Sequence, residues 1–316
     1  MKLLSDILGI KYPIIQGGMA QIATGRFAAA VSDAGALGVI GTGGFSAEDL
    51  RQHIREARER TDKPFGVNIL LLHPEAAELA EIAARERVAV VTTGAGDPGS
   101  FIPKWKDAGI LVFPVVASAA LAQRMERFGA DAVIAEGTES GGHVGETATM
   151  ALTPSVAAAV DIPVIAAGGI ASGAQLLAAF ALGAIGAQLG TLFLVSAECP
   201  IHENYKNALL KSRDGGTTVT GRLAGAPVRV LKNRMARDYI KLERDGASRE
   251  ELERLTLGSL RRAVHDGDEN GGSLMAGQVA GQLTSVRPAA ELLQELMREY
   301  DEARMRVSEI SEALRV

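Results

Sequence analysis

Short apolar runs alternate with amphipathic segments along the first 200 residues. Runs of this kind, rich in β-branched residues, are typical of strands in a parallel sheet that is buried on both faces. Eight strands are predicted, at Pro13–Ile15, Leu37–Ile40, Phe65–Leu70, Val88–Thr93, Ile110–Val115, Ala132–Ala135, Val164–Ala167 and Gly186–Leu189.

The segments between these runs carry helix signals. Ser46 and Asp49 have the spacing of a capping box and predict a helix that ends near Arg60. Pro74 suits the first turn of the next helix. Alternating strands and helices require a parallel sheet, and eight units favour an α/β fold of the (β/α)8 TIM barrel type. A doubly wound open sheet is the structural alternative.

The alternation stops after Cys199. Residues 201–286 are charged and partly helical without a clear strand series, and we interpret them as an inserted, mainly helical cap that binds substrate. Apolar residues then recur at helical spacing from Ala289 to Leu314, including Met305 and Ile310, and predict a helix that packs on the barrel. Residues 1–200 and 287–316 would form the barrel.

Composition narrows the function classes. A net charge of −5 and 4% aromatic residues argue against a nucleic-acid or membrane partner. The single cysteine, Cys199, rules out an intrachain disulfide and a multi-thiolate metal site. The uncharged stretch Ile162–Ala197 is interrupted by glycines and Pro163, so a buried βαβ unit fits it better than a membrane span. The N-terminal segment Met1–Asp6 meets a charge too early for a signal peptide and shows no small-residue cleavage pattern, and we expect a cytoplasmic protein without a metal site.

Catalytic groups of such barrels lie at the carboxyl ends of the strands. Gly17 and Gly18 follow the first strand, Gly41 ends the second, and Asn68 lies near the end of the third. The last two strands lead into Ala167-Gly168-Gly169-Ile170 and Gln188-Leu189-Gly190-Thr191. Backbone N–H groups of such turns can bind an anion without a side-chain charge, so these turns predict a phosphate site.

A longer glycine-rich loop follows the sixth strand, from Glu136 to Gly141-Gly142-His143. A histidine there is suited to proton transfer or substrate orientation, the alternative being a surface histidine in a flexible loop. The Gly-x-Gly-x-x-Gly match at Gly94–Gly99 lacks the acidic residue that a dinucleotide fold requires. The calcium-loop match beginning at Asp266 has Gly277 where glutamate is needed.

Taken together, the loops resemble those of the FMN-dependent nitronate monooxygenase and enoyl-acyl carrier protein reductase II superfamily. The resemblance runs from about Ile7 to Leu283 and is stronger to the reductase. It rests on segments at Gln16–Ala20, Lys63–Asn68, Thr92–Gly96, Ile134–His143, Val164–Ile170 and Met275–Gln278.

This resemblance implies an FMN enzyme and a reaction in which NADH or NADPH drives reduction of a trans-2-enoyl thioester on acyl carrier protein. The implied catalytic residue is His143, which acts as a base in the nitronate enzymes. A homodimer is also implied. The implied cofactor-binding residues are Gly17, Gly18, Met19, Ala20, Gly41, Asn68, Glu136, Gly141, Gly142, Ala167, Gly168, Gly169, Gln188, Gly190, Thr191, Met275, Ala276 and Gly277.

An anionic carrier protein or coenzyme A requires local positive charge on its enzyme. Arg229 and Lys232 begin a basic run in the cap that continues through Arg234, Arg237, Lys241 and Arg244, and we expect the first two to bind substrate. A solvated helix face is the alternative interpretation. The alternative functions are a nitronate monooxygenase, which passes electrons to oxygen, and a non-catalytic flavin-binding protein.

Overall fold

The computed structural model describes residues 2–314, in which eight parallel strands form a barrel surrounded by helices. All eight predicted strands are present, with bounds shifted by two residues or fewer. The strands of the chain are β1 (Ile14–Gln16), β2 (Gly38–Gly41), β3 (Phe65–Leu70), β4 (Val90–Gly94), β5 (Leu111–Val116), β6 (Val133–Glu136), β7 (Gly142–His143), β8 (Val164–Ala167), β9 (Gly186–Leu189), β10 (Thr217–Thr220) and β11 (Val228–Leu231).

The barrel strands follow the order β1-β9-β8-β6-β5-β4-β3-β2. The ring closes between β1 and β2 through a single parallel bridge, Ile15 to Leu37. The buried Gln16 side chain reinforces this junction: its Oε1 accepts from Val39 N at 3.1 Å and its Nε2 donates to Val39 O at 3.3 Å. A closed barrel excludes the open-sheet alternative, and it brings the carboxyl ends of all eight strands to one mouth.

Helices cover the outside of the barrel, and the predicted capping box is confirmed: Ser46 Oγ accepts from Asp49 N at 3.2 Å. Pro74, in contrast, lies before the helix whose first turn it was expected to occupy. The helices are α1 (Leu4–Leu8), α2 (Gly25–Asp33), α3 (Ala47–Arg60), α4 (Ala76–Glu86), α5 (Ile102–Asp107), α6 (Ala119–Arg127), α7 (Thr149–Ala157), α8 (Gly173–Ala181), α9 (Thr191–Leu194), α10 (Glu203–Leu210), α11 (Arg234–Arg244), α12 (Arg249–Thr256), α13 (Ser259–Arg261) and α14 (Ala289–Ala313).

The region 201–286 contains α10–α13, but it also contains two strands. Strands β10 and β11 pair antiparallel, and β11 pairs on its other edge with β7 from the loop after β6. The sequence shows no clear strand series here, and the structure adds these two short strands to a mainly helical cap. The sequence Thr217-Thr218-Val219-Thr220 has high β-propensity, but it is too short and too polar for its pattern to predict a strand.

The cap and the barrel share a hydrophobic core. Tyr205, Leu231 and Val264 of the cap are buried in the same cluster as Leu189 and Phe193 of the barrel. The cap is thus packed on the barrel by continuous apolar contact, whereas its division from the barrel at residues 201 and 286 stays an interpretation.

The last helix, α14, packs on the barrel along its first half, and Ala303 is the last buried residue in its second half. Leu292 and Leu293 are buried beside α8, as the helical spacing predicted. Met305 and Ile310, however, are 55% and 51% exposed, so the predicted packing of this second half was wrong. Within residues 2–314, no helix combines the length and apolar character needed to cross a bilayer.

Candidate active site

Two adjoining pockets occupy the mouth of the barrel. The larger is a mainly apolar cavity of about 590 Å³, and the smaller is a polar pocket of about 100 Å³. The residues that border both are Gly18, Met19, Glu136, Gly141, Gln188, Gly190 and Thr191. The arrangement suits a ligand with a compact polar end and a larger, flatter apolar part.

The small pocket is built by the turns after β8 and β9. Gly168 and Gly169 have φ values of +91° and +72°, a left-handed backbone that favours glycine. Gly190 has an ordinary φ of −110°, and a Cβ there would meet no protein atom closer than Met19 Sδ at 3.9 Å. Glycine at 190 therefore keeps space open in the pocket itself, as expected for a backbone cradle around an anion.

Two amide side chains border the larger cavity near these turns. Asn68 Nδ2 donates to Thr92 Oγ1 at 2.8 Å, which leaves its Oδ1 on the side of the cavity. A Cβ on Gly18 would overlap the Asn68 side chain, so the loop after β1 can lie against Asn68 only because residue 18 is glycine. Gln188 borders both pockets from β9. These amides can hydrogen-bond the polar edge of a ring or a sugar alcohol.

Glu136 ends β6 at the junction of the two pockets. Burial raises the pKa of this carboxyl to about 7, and the hydroxyl of Ser140, which donates to Glu136 Oε1 at 3.1 Å, opposes the rise only in part. The group is consequently near its titration point at neutral pH, where it can donate as well as accept a hydrogen bond.

His143 lies on β7 and borders the larger cavity. Desolvation by the surrounding protein lowers the pKa of its imidazole below the ordinary value. The lowered pKa favours the neutral imidazole, which can accept a proton or donate one N–H. The preceding Gly142 has a φ of +78°, and this left-handed turn sets the direction in which the chain enters β7.

Arg229 is buried, contrary to the expectation that it binds substrate. Its Nε and Nη2 donate to Thr138 O at 3.1 and 2.9 Å, and its Nη1 donates to Thr217 Oγ1 at 3.1 Å. Lys232 is exposed, but neither residue borders a pocket. The sequence could not distinguish a buried arginine from its exposed neighbours because β11 was not predicted.

Most of the other predicted site residues converge on the two pockets. Gly41 and Ala276 do not border either one, and both have packing roles: a Cβ on Gly41 would lie 2.8 Å from Met19 N, while Ala276 lies against Gly141. The predicted residues that border a pocket are Gly17, Gly18, Met19, Ala20, Asn68, Glu136, Gly141, Gly142, His143, Ala167, Gly168, Gly169, Gln188, Gly190, Thr191, Met275 and Gly277.

Sequence reasoning missed the opposite wall of the larger cavity. This apolar wall is formed by the loop after β4, the end of β5 and α6, through Pro98, Val115, Val116, Leu121 and Met125. In the ring of eight strands, β4 lies diametrically opposite β9. A partial signal was present in the glycine turn after β4, where Gly94 and Gly96 border the cavity even though the turn is not a dinucleotide fingerprint.

The described residues, 2–314, contain no cluster of histidine, cysteine and carboxylate side chains that could hold a metal ion.

Comparison with known proteins gives consistent matches over nearly the whole chain. The model of the nitronate monooxygenase family matches residues 1–86 and 80–299. The structure of FabK from Thermotoga maritima is similar to this chain at a TM-score of 0.95 and 46% identity, covering 98% of this chain and 99% of that one.

Two curated relatives have different activities. A nitronate monooxygenase of Paraburkholderia phytofirmans is 34% identical and covers 95% of each chain. The "(3aS,4S,5R,7aS)-5-hydroxy-7a-methyl-1-oxo-octahydro-1H-indene-4-carboxyl-CoA dehydrogenase" of Mycobacterium tuberculosis is 33% identical, covering 93% of this chain and 94% of the relative.

Proposed function

This chain belongs to the nitronate monooxygenase family and is an FMN-dependent oxidoreductase, and we propose that it reduces trans-2-enoyl thioesters with NADH or NADPH. The similarity to FabK, an enoyl-acyl carrier protein reductase II, supports this assignment. The observation on which it mainly rests is the apolar wall opposite the glycine turns, because a small nitronate has no acyl chain to fill such a space.

The residues at the mouth fit FMN. The open space over Gly190, together with the left-handed turn at Gly168 and Gly169, suits a phosphate group. Asn68 and Gln188 would contact the polar edges of the cofactor, and Met19 and Ala20 would pack on its apolar part. When bound, FMN supplies a carrier for the hydride that moves between the nicotinamide and the substrate.

The apolar wall would hold the acyl chain. Val115, Val116 and Leu121 present hydrocarbon to the cavity on the side away from the phosphate turns. Each methylene that they bury contributes about 0.8 kcal/mol of binding free energy. A thioester held there would place its carbonyl group toward His143, which borders the same cavity.

His143 would orient this carbonyl. Because its pKa is lowered by desolvation, the neutral imidazole is a weak source of protons at pH 7 but a competent N–H donor. A hydrogen bond from this N–H to the thioester oxygen would polarise the double bond toward hydride addition at the β-carbon. We therefore assign His143 the role of substrate positioner and leave protonation of the α-carbon to solvent.

Acyl carrier protein is the proposed carrier of the substrate, and α11 offers a surface for it. Arg234, Arg237, Lys241 and Arg244 are exposed on this helix, whereas the chain as a whole has a net charge of −5. Such a surface attracts an acidic partner and loses this attraction as salt rises. Reversing the charge of Arg237 and Lys241 should raise KM for carrier-linked substrates and leave KM for a pantetheine thioester unchanged.

A role in fatty acid synthesis and a homodimeric state complete the proposal, and both rest on the family resemblance.

A nitronate monooxygenase is the second candidate, favoured by the neutral His143, which could remove an α-proton from a nitroalkane. An anaerobic experiment separates the two functions. The purified flavoprotein is bleached with NADH and then mixed with a trans-2-enoyl thioester. Prompt return of the oxidised spectrum supports the reductase. A flavin that stays reduced until air enters, or that only a nitronate can reduce, supports the monooxygenase.

A further inference from the structure

A buried cation, Arg229, lies beneath the loop that carries His143. The side chain is 6% exposed, and no carboxylate among residues 2–314 lies within ion-pair distance of it. Desolvation and the nearby charge of Arg222 lower the pKa of its guanidinium, and the carboxylate of Glu139 opposes this lowering. Arginine nevertheless remains charged in proteins, so burying it here opposes folding unless its contacts compensate.

Those contacts are concentrated on one carbonyl group. Nε and Nη2 of Arg229 both donate to Thr138 O, which is two residues beyond the end of β6. A planar guanidinium that donates two hydrogen bonds to one oxygen fixes both the position and the direction of that oxygen. A lysine, with a single rotating ammonium group, cannot reproduce this geometry.

The backbone of the same strand holds the other end of the loop. In the pairing of β11 with β7, Arg229 is opposite Gly142 and Val228 is opposite His143. Val144 N also donates to Pro227 O at 3.1 Å. The loop from Thr138 to His143 is therefore attached to β11 at both ends, at one end by the Arg229 side chain and at the other by main-chain pairing.

We propose that Arg229 is a positioning residue: by holding Thr138 O, its guanidinium fixes the loop so that the His143 imidazole faces the cavity. A test by enzyme activity rests on the proposed enoyl reductase function, whereas the geometry of the loop does not depend on that function. Displacement of a catalytic group by about 1 Å can reduce turnover about 100-fold, so the orientation of this loop matters to the rate.

A double-mutant cycle with His143 tests the proposal. Arg229→Met replaces the buried charge with an apolar side chain of similar length; it removes the desolvation cost of the charge but leaves Thr138 O without its two donors. We expect kcat to fall at least tenfold with flavin content retained, and Arg229→Lys to recover only part of it. In the His143→Ala background, Arg229→Met should cause no further loss, because the group that it positions is gone. Arg254→Met, which removes an exposed cap arginine, is the matched control.

A second readout reports on His143 without turnover. In protein labelled with 15N-histidine, the imidazole of His143 is assigned by its absence from His143→Ala. In Arg229→Met its pKa should move up toward the ordinary value, because the imidazole would leave the cavity wall that desolvates it, and Arg254→Met should leave it unchanged. If the wild type does not reduce enoyl thioesters, the proposed function fails and this titration alone decides the inference.

Three results would overturn the inference. One is wild-type kcat together with an unchanged His143 titration in Arg229→Met. Another is a loss that adds fully to that of His143→Ala, which would mean that Arg229 acts independently of the histidine. If Arg229→Met does not fold, the same cycle is measured with Arg229→Lys, and full additivity there has the same meaning.

Discussion

The two sides of the barrel mouth are constructed differently. The side after β8 and β9 is made of backbone, with glycine at positions 168, 169 and 190 and a small polar pocket between the turns. The side after β4 and β5 is made of side chains, among them Val115, Val116 and Met125, which face the larger apolar cavity. A backbone surface recognises a feature common to many ligands, such as a phosphate, whereas a surface of side chains can change with the substrate.

This difference gives the two sides separate tasks. The glycine side should determine whether FMN binds, and the apolar wall should determine which substrate is used. Glu136 and His143 lie between them: Glu136 borders both pockets, while His143 borders the larger one. Variants on each side, and at the junction, can test this separation.

The largest effect is expected at the junction, from His143→Ala. Loss of the N–H donor should lower kcat about 100- to 1,000-fold, within the range of a single positioned catalytic group. Flavin content should remain normal, because neither side of the mouth is altered. Stopped-flow reoxidation by an enoyl thioester measures the rate. Loss of flavin together with the fold would contradict the assigned role.

Gly190→Val should weaken FMN binding at the glycine side without unfolding the protein. The φ of Gly190 is accessible to any residue, and the added side chain would enter the space of the small pocket. Overpacking there should weaken FMN binding about 100-fold. Flavin fluorescence quenching gives the Kd. Leu223→Val, at a 74% exposed leucine that borders neither pocket, is the control, and FMN binding should persist there.

Leu121→Asp should alter the apolar wall alone. Leu121 borders the cavity but is 43% exposed, so a carboxylate is tolerated by the fold while it repels an acyl chain. We expect kcat/KM for an octenoyl thioester to fall about tenfold relative to a crotonyl thioester, with FMN affinity unchanged. Leu257→Asp, at a 79% exposed leucine outside the cavity, should change neither value. Equal losses for both chain lengths would contradict an acyl-binding wall.

The smallest effect is expected from Glu136→Gln in protein stripped of flavin. The folded-state pKa is raised to about 7, so the neutral carboxyl stabilises the fold below the unfolded value of 4.5, and that contribution is lost as pH rises through 7. Since cavity water screens the carboxylate, glutamine should add about 1 kcal/mol above pH 7, or about 2 °C in Tm. A calorimetric Tm difference that does not depend on pH would show that Glu136 is not the titrating group.

The sequence predicted the glycine side better than the apolar wall for a physical reason. A turn with positive φ demands glycine, so Gly168 and Gly169 are visible in a single sequence. Val115 and Met125, in contrast, are apolar residues that serve the core as well as the cavity. Only the closed ring shows that they lie across the mouth from Gly190, because the separation of β5 from β9 depends on tertiary structure.

The cap shows the same limit. In the sequence, Arg229 cannot be told from its basic neighbours. Its burial follows from its place on β11, which pairs with the two-residue strand β7. Met305 and Ile310 show the reverse case: their helical spacing predicted contact with the barrel, and the helix is present, but it extends beyond the surface that it would cover.

The pairing of β7 with β11 also bears on the order in which the molecule matures during synthesis. All eight barrel strands precede residue 190. Strand β11 (Val228–Leu231), which pairs with the segment that carries His143, leaves the ribosome later. Contacts between distant parts of a chain form late, since loop closure must precede them. A nascent chain that has completed its barrel would therefore still lack the arrangement around His143, and this part of the active site would be among the last to form.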